Sequence, residues 1–213
     1  KINKVYLAEK FNDRELMDLI KRNKIKFNFV PNKVLDSKVD GLHQGIILDV
    51  DEFEWIGGAA DDPQDRCLHG RVTIHIGDTV LEDVGTVSAT ALYLLKTLTE
   101  DKVMAYHDIQ MIPCCGHFLI ANKDLTEVQI SSCDTGTDWT TIHDGDDIKI
   151  ILPSGQEEKV SLADYKREVF RFADKVEAFY KSCTPKELPK DEFHRNGYIA
   201  FWNEWHRRRN ESA

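Results

Sequence analysis

Arg71-Val72-Thr73-Ile74-His75-Ile76-Gly77-Asp78-Thr79-Val80-Leu81-Glu82-Asp83-Val84 decides the fold class of most of this chain. Its first six residues alternate polar and apolar side chains, the period of a strand with one buried face. Gly77-Asp78 offers a two-residue hairpin turn, because glycine takes the positive φ such a turn needs, and Thr79–Val84 returns as the second strand. Ser88 reads as the N-cap of a helix with Ala89, Leu92, Leu95 and Leu98 on one face. Further short strands are predicted at His117–Ala121, Glu127–Ser132, Trp139–His143 and Asp147–Leu152, with a Ser154-Gly155 turn into Glu157–Ser161. Ser161 caps the longest predicted helix, whose stripe is Tyr165, Val169, Phe172, Val176 and Phe179 and which ends near Ser182, before Pro185. A terminal segment with Tyr198, Phe201, Trp202 and Trp205 closes on Arg207-Arg208-Arg209, cations suited to a helix C-terminus. Strands with helices gathered at the end predict an α+β domain over residues 55–213, with a mostly antiparallel sheet and C-terminal helices.

Charge divides the chain at about the same place. Residues 1–50 carry ten Lys/Arg against seven Asp/Glu, and residues 51–213 carry eighteen against thirty. The first balance is +3 and the second −12, so two pieces with different partners are expected. The first piece reads strand–helix–strand–helix–strand: Lys4–Ala8, a helix carrying Leu16, Leu19 and Ile20 behind the caps Asn12-Asp13, the alternating run Lys24–Val30, a short helix from Pro31 to Leu35, and Gly45–Val50. That order predicts a small, incomplete α/β/α module over residues 1–54, with all three strands in one parallel sheet.

Gly41-Leu42-His43-Gln44-Gly45-Ile46-Ile47, after Phe29-Val30-Pro31 and Leu35-Asp36, resembles the substrate-binding domain of the SpoU family of RNA ribose 2′-O-methyltransferases. The resemblance covers roughly residues 1–53 and implies a module that positions structured RNA ahead of a knotted catalytic domain. Two departures stand out. The family's opening helix is missing before the first strand. No Gly-rich cofactor turn or Asn-containing catalytic motif follows, so S-adenosylmethionine is not expected as a cofactor and methyltransferase activity is not expected. The RNA-facing candidates are Lys21, Arg22, Lys24 and Lys26, a basic edge, with His43 and Gln44. Lys/Arg at a helix end also complement the helix dipole, and His43 and Gln44 also suit backbone satisfaction at a turn.

The second piece holds three other constellations. Cys67-x-His69 and Cys114-Cys115-x-His117, with Cys133 and His143, offer soft ligands, so zinc is possible, although the spacing matches no standard structural zinc motif. Cys115 with His117 is a weaker nucleophile pair, because nothing nearby in sequence orients the imidazole. The carboxylates Asp61, Asp62, Asp65, Asp134, Asp138, Asp144, Asp146 and Asp147 form no calcium loop and offer either a solvated surface or a face for a basic protein. "Cys-Leu-His-Gly-x-Val" from Cys67 and "Ser-Ala-Thr-Ala-Leu-Tyr-Leu-Leu" from Ser88 make residues 55–185 resemble WapI-type immunity proteins of bacterial toxin systems. That resemblance implies a bacterial stoichiometric inhibitor of a basic protein such as a nuclease toxin.

Across all 213 residues, 41% are hydrophobic and 31% charged, a globular balance. No apolar run approaches the roughly 20 residues that cross a bilayer, and the first residues lack the pattern of a signal peptide. Five cysteines, two of them adjacent, suit a disulfide framework poorly and point to a reducing cytoplasm. The reading is a non-catalytic protein joining an RNA-binding-like module to an acidic domain. An RNA methyltransferase-related protein of rRNA or tRNA modification and a zinc or thiol enzyme remain the alternatives.

Overall fold

The computed structural model describes residues 5–8, 14–24, 27–30, 46–49, 62–105, 109–116 and 118–211. The chain divides into two compact units, Lys1–His43 and Gln44–Ala213. In the first, strand β1 (Val5–Ala8) is followed by helix α1 (Arg14–Arg22) and strand β2 (Phe27–Val30). The two strands pair in parallel with Val5 opposite Phe27, as a strand–helix–strand unit requires. Ile20 on α1 is 3% exposed, while Lys21 and Arg22 at its end face solvent. The expected caps Asn12-Asp13 and the short helix from Pro31 lie outside the described residues.

The third predicted strand departs from expectation. β3 (Ile46–Asp49) pairs antiparallel with β4 (His69–Ile76), Ile46 opposite Ile76 and Asp49 opposite Thr73. It therefore belongs to the antiparallel sheet of the second unit, not to a parallel sheet with β1 and β2. Sequence spacing shows that a strand exists but not its partner, because pairing depends on contacts far along the chain.

The β4–β5 hairpin forms as its alternation predicts. β5 (Thr79–Thr86) runs back along β4 from Ile76 opposite Thr79 to His69 opposite Thr86. Gly77 has φ of +57°, the left-handed turn conformation glycine takes at little cost. Val72, Ile74 and Ile76 are at most 1% exposed, so one face of the sheet is core.

Helix α2 (Val87–Lys96) starts directly from β5, and every residue from Val87 to Leu95 is buried. A helix apolar all round is a core helix, not the one-faced helix expected here. Ser88 does not cap it. Thr86 holds the N-cap position, and the Ser88 hydroxyl accepts the Leu68 N–H at 3.2 Å. The remaining strands form short antiparallel ladders: β6 (Ile112–Pro113) with β9 (Gly136–Thr137), β7 (Phe118–Ala121) with β8 (Val128–Ser131), and the meander β10 (Thr140–Asp144), β11 (Asp147–Ile151), β12 (Glu157–Ser161).

Helix α3 (Leu162–Ser182) is capped as predicted: Ser161 Oγ accepts the Asp164 N–H at 3.1 Å and donates to its carboxylate at 2.8 Å. Its buried residues, Tyr165, Val169, Phe172 and Val176, pack toward α2 and β3. Helix α4 (Glu192–Glu211) lies on β7 and α2, with Phe201 and Trp205 in the core. The second unit is thus an α+β domain of small, mostly antiparallel sheets with two long C-terminal helices. Among the described residues no helix is long and apolar enough to cross a membrane.

Candidate functional site

The basic edge is built by the end of α1. Lys21 and Arg22 occupy its last turn, where cations complement the helix dipole. Lys24 ends the helix with φ of +53°, its N–H donating to the Lys21 carbonyl at 3.1 Å. Lys21, Arg22 and Lys24 are all exposed, so three cations leave the chain within one turn. Lys26, His43 and Gln44 lie outside the described residues.

Several of the carboxylates expected to form a partner face also make contacts within the fold. Asp62 and Asp65 accept the N–H groups of Gln64 and Cys67 at 2.8 and 3.1 Å, closing local turns. Asp138 pairs with Lys102 and accepts the Met111 N–H at 3.1 Å. Asp144 and Asp147 share Lys159 at 3.0 and 3.1 Å, and their carboxylates raise the Lys159 pKa. Asp146 lends its carbonyl to the Leu162 N–H at 2.8 Å. Asp134 follows Cys133, and Asp61 lies outside the described residues.

The soft ligands separate into two groups. Asp65, Cys67 and His69 present donor atoms within 4.8 Å of one another. Burial, then the Asp65 charge, pushes the Cys67 thiol up to about 11, which keeps it protonated at neutral pH.

Cys114, Cys115 and Cys133 form the second group, also within 4.8 Å. Cys114 follows β6 and Cys133 precedes β9, and the β6–β9 ladder brings the two loops together. Cys114 and Cys133 are joined as a disulfide, and the Cys115 Sγ, outside that bond, lies 3.3 Å from Cys114 Sγ and 3.1 Å from Cys133 Sγ. The Thr135 hydroxyl donates to Cys114 Sγ at 3.0 Å and sits 3.1 Å from Cys133 Sγ. Cys133 thus joins Cys114 and Cys115 through a ladder, not through sequence spacing, and so matches no spacing motif.

His117 lies outside the described residues. His143, weighed above as a zinc ligand, does not approach the cysteines as one: its Nδ1 faces Asp101 at 2.8 Å and its Nε2 faces the Leu98 carbonyl at 3.2 Å. Hydrogen bonds from the His143 backbone and ring hold the Asp101 carboxyl below its ordinary pKa.

Two features were not anticipated from sequence. A cleft of about 500 Å³ opens beside α2, lined by Tyr93, Lys96, Lys102 and Met111 and by Gln129 and Ile130 of β8. Beside it Glu204 of α4, fully buried, gathers Lys96 at 3.1 Å, Arg208 at 2.8 Å and the Val128 N–H at 2.7 Å. The only sequence signal for this network is the i, i+4 spacing of Glu204 and Arg208 on one helix face.

Compared with known proteins, residues 1–56 match the family described as RNA 2′-O ribose methyltransferase substrate binding, about a quarter of the chain. No curated protein and no solved structure matches the chain. The matched stretch contains the whole exposed edge of Lys21, Arg22 and Lys24, and it is similar to a module of RNA ribose methyltransferases.

Proposed function

We propose that this protein binds structured RNA through its first unit and acts as a binding protein, not as a methyltransferase. The match of residues 1–56 to the substrate-binding family carries the reading. Lys21, Arg22 and Lys24 support it, since phosphate contacts of this kind supply most sequence-independent affinity. The lack of the catalytic motifs that follow this domain in the SpoU family supports the non-catalytic half. The likeness to toxin immunity proteins rests on charge and short strings alone and is taken no further.

A gel-shift titration of the full chain with a ribosomal RNA hairpin tests the proposal. Binding with a dissociation constant of roughly 10⁻⁶–10⁻⁴ M or tighter at physiological salt is expected. The variant Lys21→Ala/Arg22→Ala/Lys24→Ala should bind more weakly and flatten the log–log salt dependence by about 2, at somewhat under one per phosphate contact. No shift at any salt, or an unchanged slope in the triple variant, overturns it.

A further inference from the structure

We infer that Cys114, Cys115 and Cys133, once reduced, form a thiolate site for zinc. Three sulfur atoms from two loops converge, and a disulfide accounts for only two of them. Cys115 Sγ stands 3.3 and 3.1 Å from the other two, so all three point at one small region. In a tetrahedral zinc thiolate with Zn–S near 2.3 Å, sulfurs sit about 3.8 Å apart. The Cys115 contacts therefore need to open by only about half an ångström once the Cys114–Cys133 bond is reduced.

The surroundings suit the ion as well. The Thr135 hydroxyl already touches two of the sulfurs, at 3.0 and 3.1 Å, and a hydroxyl donor to a metal-bound thiolate offsets part of its charge. The Cys114 N–H donates to the Thr135 carbonyl at 3.2 Å, which fixes one loop against the other before any metal arrives. All three cysteines are partly buried, so the site is screened yet open to an ion. Asp65, Cys67 and His69 make a poorer site, because Asp65 is committed to its own turn and only one of the three donors is a sulfur.

The chemistry balances in two steps. A phosphine reductant gives two electrons to the Cys114–Cys133 bond and becomes its oxide with oxygen from water, leaving two thiols. Three thiols then bind one divalent ion and release three protons, so affinity rises with pH. A fourth position stays available to another donor.

The test uses the full chain, reduced with a phosphine under nitrogen, and titrated with cobalt(II) as a visible stand-in for zinc. One equivalent should produce thiolate-to-cobalt charge-transfer absorption that zinc abolishes, with close to three protons released per ion. Cys115→Ser leaves the Cys114–Cys133 pair intact, and its circular dichroism before reduction checks its fold. It should bind at least about tenfold more weakly. Thr135→Ala, which removes no ligand, should weaken binding about tenfold, while Cys183→Ser at the end of α3 should change nothing. No charge-transfer band in the reduced protein, or a Cys115→Ser variant that binds like the parent, overturns the assignment. The readout involves no RNA, so it stands or falls apart from the proposed function.

Discussion

Arg208 donates Nε to Glu204 Oε1 at 2.8 Å one turn away on α4, where Glu204 has no exposed surface and Arg208 is 5% exposed. Lys96, Glu100 and the Val128 N–H complete the network around them. Removing Glu204 leaves the buried Arg208 guanidinium without its intrahelical partner and the Val128 N–H without this acceptor. Glu204→Ala should therefore cost about 3–5 kcal/mol in urea unfolding. The double variant Glu204→Met/Arg208→Met should cost less than Glu204→Ala, since the buried Arg208 charge goes together with its partner. A double variant worse than Glu204→Ala would show that the pair itself stabilises the fold.

Alkaline pH should loosen the core in a defined window. Burial pushes Cys67 from 9.0 up to about 11 and Tyr165 from 10.0 up to about 12. Both are held neutral in the folded state, so their contribution is complete below pH 9 and is lost as pH climbs toward 12. Tyr165→Phe should flatten the upper part of that decline. It should also cost about 1 kcal/mol at neutral pH, by losing the 2.6 Å hydrogen bond to Thr97. An unfolding curve followed across pH 8–12 checks both effects.

Gly197 is where α4 lies on β7. A Cβ there would fall on the Leu119 carbonyl, with the Leu119 Cβ only 2.8 Å away. Backbone cannot yield as a flexible side chain can, so Gly197→Ala should cost about 1–3 kcal/mol or more in thermal unfolding, despite alanine's better helix propensity. An unchanged melting temperature would mean that α4 does not press on β7 here.

Ser161→Ala should cost about 1 kcal/mol, since the Asp164 N–H loses its acceptor. The Ser161 hydroxyl, then Arg167, holds the Asp164 carboxyl below its usual 3.8. That stabilisation is present above pH 4 and is lost as pH falls through the folded-state value, so the variant should differ least from the parent in acid. Denaturant titrations at neutral and acidic pH give the comparison.

What could be read from the sequence was what is local. The β4–β5 hairpin is written in six alternating residues and a Gly-Asp turn. Helix α3 is written in its serine cap and its stripe. The larger misses are contacts between distant segments. Ser88 looked like a cap because nothing nearby shows that Leu68 takes its hydroxyl. Arg207-Arg208-Arg209 read as a helix-end charge run, and Arg208 and Arg209 do lie in the last turn of α4. What the sequence did not show is that Arg208 is buried and that Arg209 holds Asp174 of α3 through hydrogen bonds of 2.7 and 2.8 Å while lying over the Phe170 ring. Of the candidate sites, the exposed basic edge was legible, and all three clustered cysteines were named among the soft ligands. That Cys133 meets the other two, rather than Cys67 or His143, shows only through the β6–β9 ladder.

The pairing of β3 with β4 separates two kinds of boundary. By likeness to other proteins the first segment runs to residue 56, yet by contact the chain parts between His43 and Gln44. Scissors placed at residue 56 would carry off β3 and leave one edge of β4 bare, a row of unpaired N–H and C=O groups ready to recruit another chain. Residues 46–49 thus lie inside the matched stretch yet are tenants of the second unit, and a clean cut between the units falls upstream of them.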